Sequence, residues 1–169
     1  MARASSIAMN SLARVAEREP LDPETDGPGL WGNIDWQRLW LNVEQQRWRT
    51  LALVPAGANV PLDLTLDAAV ALARTGMARH GRQIHVADAT RVGFGDLADF
   101  IEQLRDTLTG GPAILALAPA SYSPVTVQLA QSADLSLLCI VLRSMRVSEA
   151  RQTVDEIGRQ HFLGAITFQ

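Results

Sequence analysis

Five short runs of mostly apolar residues, the first four each followed by a stretch with helical periodicity, constrain this chain more than any other feature. The pattern is clearest from Arg49 to Gly76, RTLALVPAGANVPLDLTLDAAVALARTG. Thr50 to Val54 form an apolar run, Pro55 to Pro61 hold turn residues, and Leu62, Leu66, Ala69, Val70 and Ala73 then recur at helical spacing. This reads as a buried strand, a tight loop and an amphipathic helix that Gly76 ends, with a polar turn at His80-Gly81-Arg82. The remaining strands are expected over Gln83 to Asp88, Ala113 to Leu117, within Asp134 to Leu142, and over Phe162 to Phe168. Helices are expected around Leu97 to Leu108, Val125 to Ser132 and Ser148 to Arg159. Strands apolar on both faces, alternating with helices, require a sheet covered on both sides. The expected fold is therefore α/β, a three-layer sandwich around a mostly parallel sheet of about five strands.

The first strand-loop-helix unit is where such a sheet places a phosphate site. A phosphate loop needs small residues for close backbone approach, a Lys for the outer phosphates and a Ser or Thr hydroxyl for magnesium. The chain contains no lysine. Where Gly-Lys-Ser/Thr would open the helix it has Pro61-Leu62-Asp63. Asp63 adds negative charge to the helix end that would attract phosphate. Leu62 is expected to pack inward against the sheet end, and Asp63 or a neighbour to cap the helix.

Composition narrows the remaining classes. The 169 residues, 47% of them apolar, suffice for one core. The net charge is −3 and all fifteen cations are scattered arginines, so no nucleic-acid partner is expected. The single cysteine, Cys139, lies in an apolar run and reads as a core residue. No stretch has the length of a membrane span, so no direct membrane insertion is expected, and the chain reads as cytoplasmic. Residues 1–32, rich in Ser, Pro, Gly and acids, read as a flexible tail or linker, and residues 33–169 as one α/β domain.

A further helix is expected from about Ile34 to Gln46, with Trp36, Leu39, Trp40 and Val43 at helical spacing. Trp36 and Trp40, with Trp31 just before, either bury a helix face on the sheet or form a partner surface. Asp88 ends a central strand, where α/β sheets hold their sites, and equally suits bonding to loop amides. His80, His85 and His161 have no partner at metal-ligand spacing. Ser121, Tyr122 and Ser123 lack the glycines and histidine of a hydrolase elbow. Neither a metal nor another cofactor is expected.

From Ile34 to Gln169 the order of elements and several phrases resemble the cytoplasmic P-loop ATPase domain of bacterial tyrosine kinases of exopolysaccharide synthesis and export, in the deviant-Walker class. The most specific match is Ser123-Pro124 through Leu129-Ala130-Gln131-Ser132-Ala133-Asp134. Asp88-Ala89-Thr90 stands where that family has Asp-Ala-Asp, and Ala116 where it has the acid of the second Walker motif. Ile34, Gln37 and Trp40 occupy its Glu-Arg-Arg oligomerisation positions, and Tyr122, the only tyrosine, replaces no C-terminal cluster. The resemblance implies a degenerate P-loop NTPase-like fold in which Gly57, Leu62, Asp63, Asp88, Thr90 and Ala116 are vestigial. It also implies a non-catalytic protein that regulates or scaffolds exopolysaccharide synthesis through a membrane protein of the export system, held at the inner face of the membrane by that partner, and open to homo-oligomerisation. Two alternatives stay open. One is an active ATPase or tyrosine kinase in which Arg82 or Arg91 grips phosphate; the other is an adaptor of a partition or positioning ATPase.

Overall fold

A computed structural model describes residues 34–142 and 146–168. The expected tail over 1–32, Trp31 included, lies outside them. The elements follow in the order α1 (Ile34–Glu44), β1 (Thr50–Pro55), α2 (Leu62–His80), β2 (His85–Ala89), a 3-10 turn at Phe94–Asp96, α3 (Leu97–Thr107), β3 (Ala113–Leu117), α4 (Pro124–Ser132), β4 (Leu135–Val141), α5 (Val147–Ile157), a second 3-10 turn at Arg159–His161, and β5 (Phe162–Phe168). The strands form one sheet in the order β2-β3-β1-β4-β5, and every adjacent pair is parallel.

Alternation along each strand sorts the core into two layers. Leu51, Leu53, Val86, Ile114, Ala116, Leu137 and Cys139 face α1 and α2. Ala52, Val54, Ala87, Ala89, Leu115 and Leu117 face α3, α4 and α5 through Phe100, Leu104, Val125, Leu129 and Ile157. The three-layer α/β architecture expected from the apolar runs is what the chain forms.

Gly76 does not end α2. The helix continues to His80 and closes on Gly81, whose φ of 63° is left-handed and whose N–H donates to Met77 O at 2.8 Å. Gly76 is buried in mid-helix because the Trp40 ring of α1 lies against its Cα: a Cβ there would stand 2.5 Å from both Trp40 Cζ2 and Ile84 Cδ1. Trp36 and Trp40 are accordingly core residues rather than a partner surface. Trp40 Nε1 also donates to Glu44 Oε2 at 3.1 Å, and His80 Nε2 lies 2.8 Å from the same oxygen, which ties α1 to the end of α2.

At the amino end of the sheet, Asp134 clamps β1 to β4. Its Oδ2 accepts from Arg49 N, Thr50 N and Thr50 Oγ1 at 2.8, 2.9 and 3.0 Å. Desolvation pushes the carboxyl pKa up, but those bonds and the Arg49 charge outweigh it and hold the pKa below its ordinary value of 3.8. The fold thus favours the ionised form. That stabilisation is present above the unfolded value and is lost as pH falls through the folded one. Asp134 is solvent-exposed, so Asp134→Asn is expected to cost only about 1 kcal/mol at neutral pH. The difference from the parent should shrink in urea titrations as the pH is lowered below 4.

Candidate functional site

In an open parallel sheet the loops that follow the strands share one end, and ligand sites form there. On that end this chain places 56–61 after β1, 90–93 after β2 and 118–123 after β3. Gly57, Leu62 and Asp63 follow β1 and Thr90 follows β2 on this end, where Asp88 is registered beside Ala116 and Ala116 beside Leu53.

The loop after β1 is held by the protein's own donors. Ala56 N donates to Cys139 O at 2.9 Å, extending the β1–β4 ladder. Buried Thr153 of α5 donates its hydroxyl to Ala56 O at 3.0 Å, and Tyr122 Oη, from the loop after β3, donates to Ala58 O at 3.1 Å. Val60 N turns back to Gly57 O at 3.3 Å. Three successive carbonyls, of Ala56, Gly57 and Ala58, are therefore engaged, and Ala56, Gly57 and Val60 are buried. Neither Tyr122 nor Thr153 was legible as a loop contact, because each lies far along the chain in a separate element.

Leu62 does not pack inward. It is half-buried and belongs to neither core layer, and the helix it opens begins directly after the extended Pro61 (φ −60°, ψ 136°). Val60, two residues earlier in the loop, is buried instead. Asp63 is exposed, and no side chain caps α2; Leu64 N is met by Pro61 O at 3.1 Å instead.

Asp88 is committed locally. Its Oδ1 accepts from Thr90 N at 3.0 Å and from Thr90 Oγ1 at 2.6 Å, an Asx-type turn that starts the loop after β2. Thr90, in the place of a second acid, serves as the donor. Ala116 is fully buried in the layer under α2 and presents only a methyl group. Arg82 precedes β2 and so lies at the amino end of the sheet, a strand length of roughly 17 Å from the loops in question. Arg91 follows β2 and is exposed at the correct end. Among the described residues no group of three or more His, Cys, Asp or Glu could hold a metal ion, and no helix is long and apolar enough to cross a membrane.

Four exposed apolar side chains stand on the rim of this end beside the polar Asp63 and Arg91. Phe94 (79% exposed) follows β2, Tyr122 (63%) follows β3, and Leu142 (42%) and Val147 (77%) flank the connection after β4. Of the exposed large hydrophobic side chains among the described residues, only Ile34 and Leu41 lie elsewhere, on α1.

No protein-family profile matches the sequence, and no curated protein matches it. In three dimensions the chain is similar to a BceF tyrosine kinase domain, with a TM-score of 0.54 over 78% of this chain and 72% of that one, at 11% sequence identity. The likeness carries the fold alone: an α/β domain around a five-stranded parallel sheet.

Proposed function

We propose that this chain is a kinase-like protein that has given up phosphoryl transfer and acts by protein contact, regulating or scaffolding exopolysaccharide synthesis and export through a membrane component of co-polymerase type. The observation that carries this reading is the loop after β1, fastened by Thr153 and Tyr122 and opening a helix without a lysine or a magnesium hydroxyl. Phosphoryl transfer rests almost wholly on positioned charge, so losing Lys, hydroxyl and acid together removes its main source of rate. A fold survives such losses because sheet packing depends on apolar pattern and turns. The exposed Phe94, Tyr122, Leu142 and Val147 supply apolar side chains on that rim of the kind proteins use to meet partners. The exopolysaccharide assignment rests on the sequence resemblance, and a location at the inner face of the membrane follows from the partner it names.

Addition of ATP and magnesium is expected to leave the melting temperature unchanged, since any ligand of the native state must raise it. Calorimetric binding tighter than about 100 µM, roughly −5.5 kcal/mol, would instead favour an ATPase with Arg91 as the phosphate cation. A tagged chain is expected to recover a polysaccharide-export protein from its native membranes, and Phe94→Asp or Val147→Asp to reduce that recovery. Repeated capture of a partition or positioning ATPase in its place would overturn the assignment.

A further inference from the structure

β5 is the outer strand of the sheet: it pairs with β4, and no described strand pairs with its other side. That side carries a row of backbone N–H and C=O groups, which only another extended strand satisfies in full. Proteins ordinarily block such an edge with charge, proline or a very short strand. Phe162-Leu163-Gly164-Ala165-Ile166-Thr167-Phe168 has seven residues, no charge and no proline. Its one irregularity, the register shift opposite Ser136 and Leu137, falls before Gly164 and leaves Gly164 to Phe168 regular. The opposite edge differs, since β2 is five residues long and carries His85 and Asp88.

We infer that β5 is the docking edge for a second copy of this chain, in antiparallel pairing about a two-fold axis at Ile166, so that two sheets become one. A strand without charge meets no like charge when it faces itself, which is the first condition of an isologous contact. The register follows from side-chain size. With the axis at Ile166, Gly164 lies opposite Phe168 of the second copy, Ala165 opposite Thr167, and Ile166 opposite its own counterpart. Gly164 is exposed, and a Cβ built on it meets nothing within 4 Å, so there is open space for an aromatic ring to cover it. Ile166 and Phe168 are only partly buried against the layer under α1 and α2. Moving the axis to Ala165 brings Phe168 against Phe162, in the stretch where the register to β4 shifts. The pairing is independent of the proposed partner.

Sedimentation velocity of the full chain, from low to high micromolar concentration, is expected to show a dimer. Ala165 and Thr167 are exposed neighbours across the axis, so A165K/T167K places like charges opposite each other and should weaken the dimer by more than about tenfold. A165E/T167K places opposite charges there and should restore it. I166C should yield a disulfide-linked dimer on oxidation, because opposed residues at an antiparallel axis approach to about 4.5–5.5 Å between Cα atoms, while T167C should not. Circular dichroism melts of each variant establish that it is folded. A parent chain that stays monomeric throughout overturns the inference, as does a dimer that survives A165K/T167K or an I166C chain that T167C outperforms in cross-linking.

Discussion

Trp40→Ala is expected to lower the unfolding free energy by about 3–5 kcal/mol, the range for removing a large aromatic from a packed core. The indole is 4% exposed, lies edge-on to Trp48, and is the main contact of α1 with Gly76 of α2. Its loss opens a cavity between the helices and also removes the Nε1 bond to Glu44. Gly76→Ala approaches the same contact from the other side. Alanine suits a helix better than glycine by about 1 kcal/mol, yet here its methyl would overlap the Trp40 ring and the end of Ile84, so a net loss of about 1–3 kcal/mol is expected. The two changes should not add. With Trp40 already removed, the flexible Ile84 tip can shift, and Gly76→Ala should become neutral or stabilising. Urea unfolding of the parent, both single variants and the double variant measures this coupling. Additive losses would show that Gly76 and Trp40 do not share a contact.

Cys139 is expected to resist thiol reagents while the protein is folded. Burial pushes its pKa up to about 12 from an ordinary 9.0, which lowers the thiolate fraction at neutral pH by roughly three orders of magnitude. Modification should then proceed only through opening of the sheet, and it should become fast in guanidinium. A disulfide-exchange reagent that labels the native protein at the rate of a free thiol would contradict the burial. The same shift fixes the sign of an alkaline effect. The folded state holds the thiol proton more tightly than the unfolded chain, so this contribution is intact below pH 9 and declines from there toward pH 12.

The sheet was readable because its determinants are local. The three inner runs are apolar on both faces, the two edge runs less so, all are bounded by turn residues, and the structure places strands on all of them with ends within about two residues. Asp134 closed the phrase that most resembled the kinase family, and the structure shows that it holds β1 to β4. What was misread depended on partners distant in sequence. Gly76 resembles a helix stop until Trp40 is seen against it, and Trp40 resembles an interface anchor until Gly76 makes room for it. Leu62 was expected inside because it is apolar, but it stays half-buried outside both core layers while Val60, two residues earlier, is buried. The ties from Thr153 and Tyr122 to the loop after β1 left no trace in local pattern, since a lone hydroxyl on an amphipathic helix signals nothing until the helix is docked.

The place of β1 at the centre of the sheet has a consequence for the order of events in folding. Thr50 is registered beside Ala113 and Leu51 beside Leu135, so both flanks of the first described strand are supplied by segments far downstream. Such long loops must close before the contacts that reward them can form, which slows folding and raises its dependence on topology. During translation, β1 and the helix after it have no sheet to join until β3 has emerged, and β1 keeps an open side until Leu135 to Val141 follow. A nascent chain stalled before that point exposes the apolar centre of the domain, and the segment from Ala113 to Val141 determines whether β1 and α2 have anything to fold against.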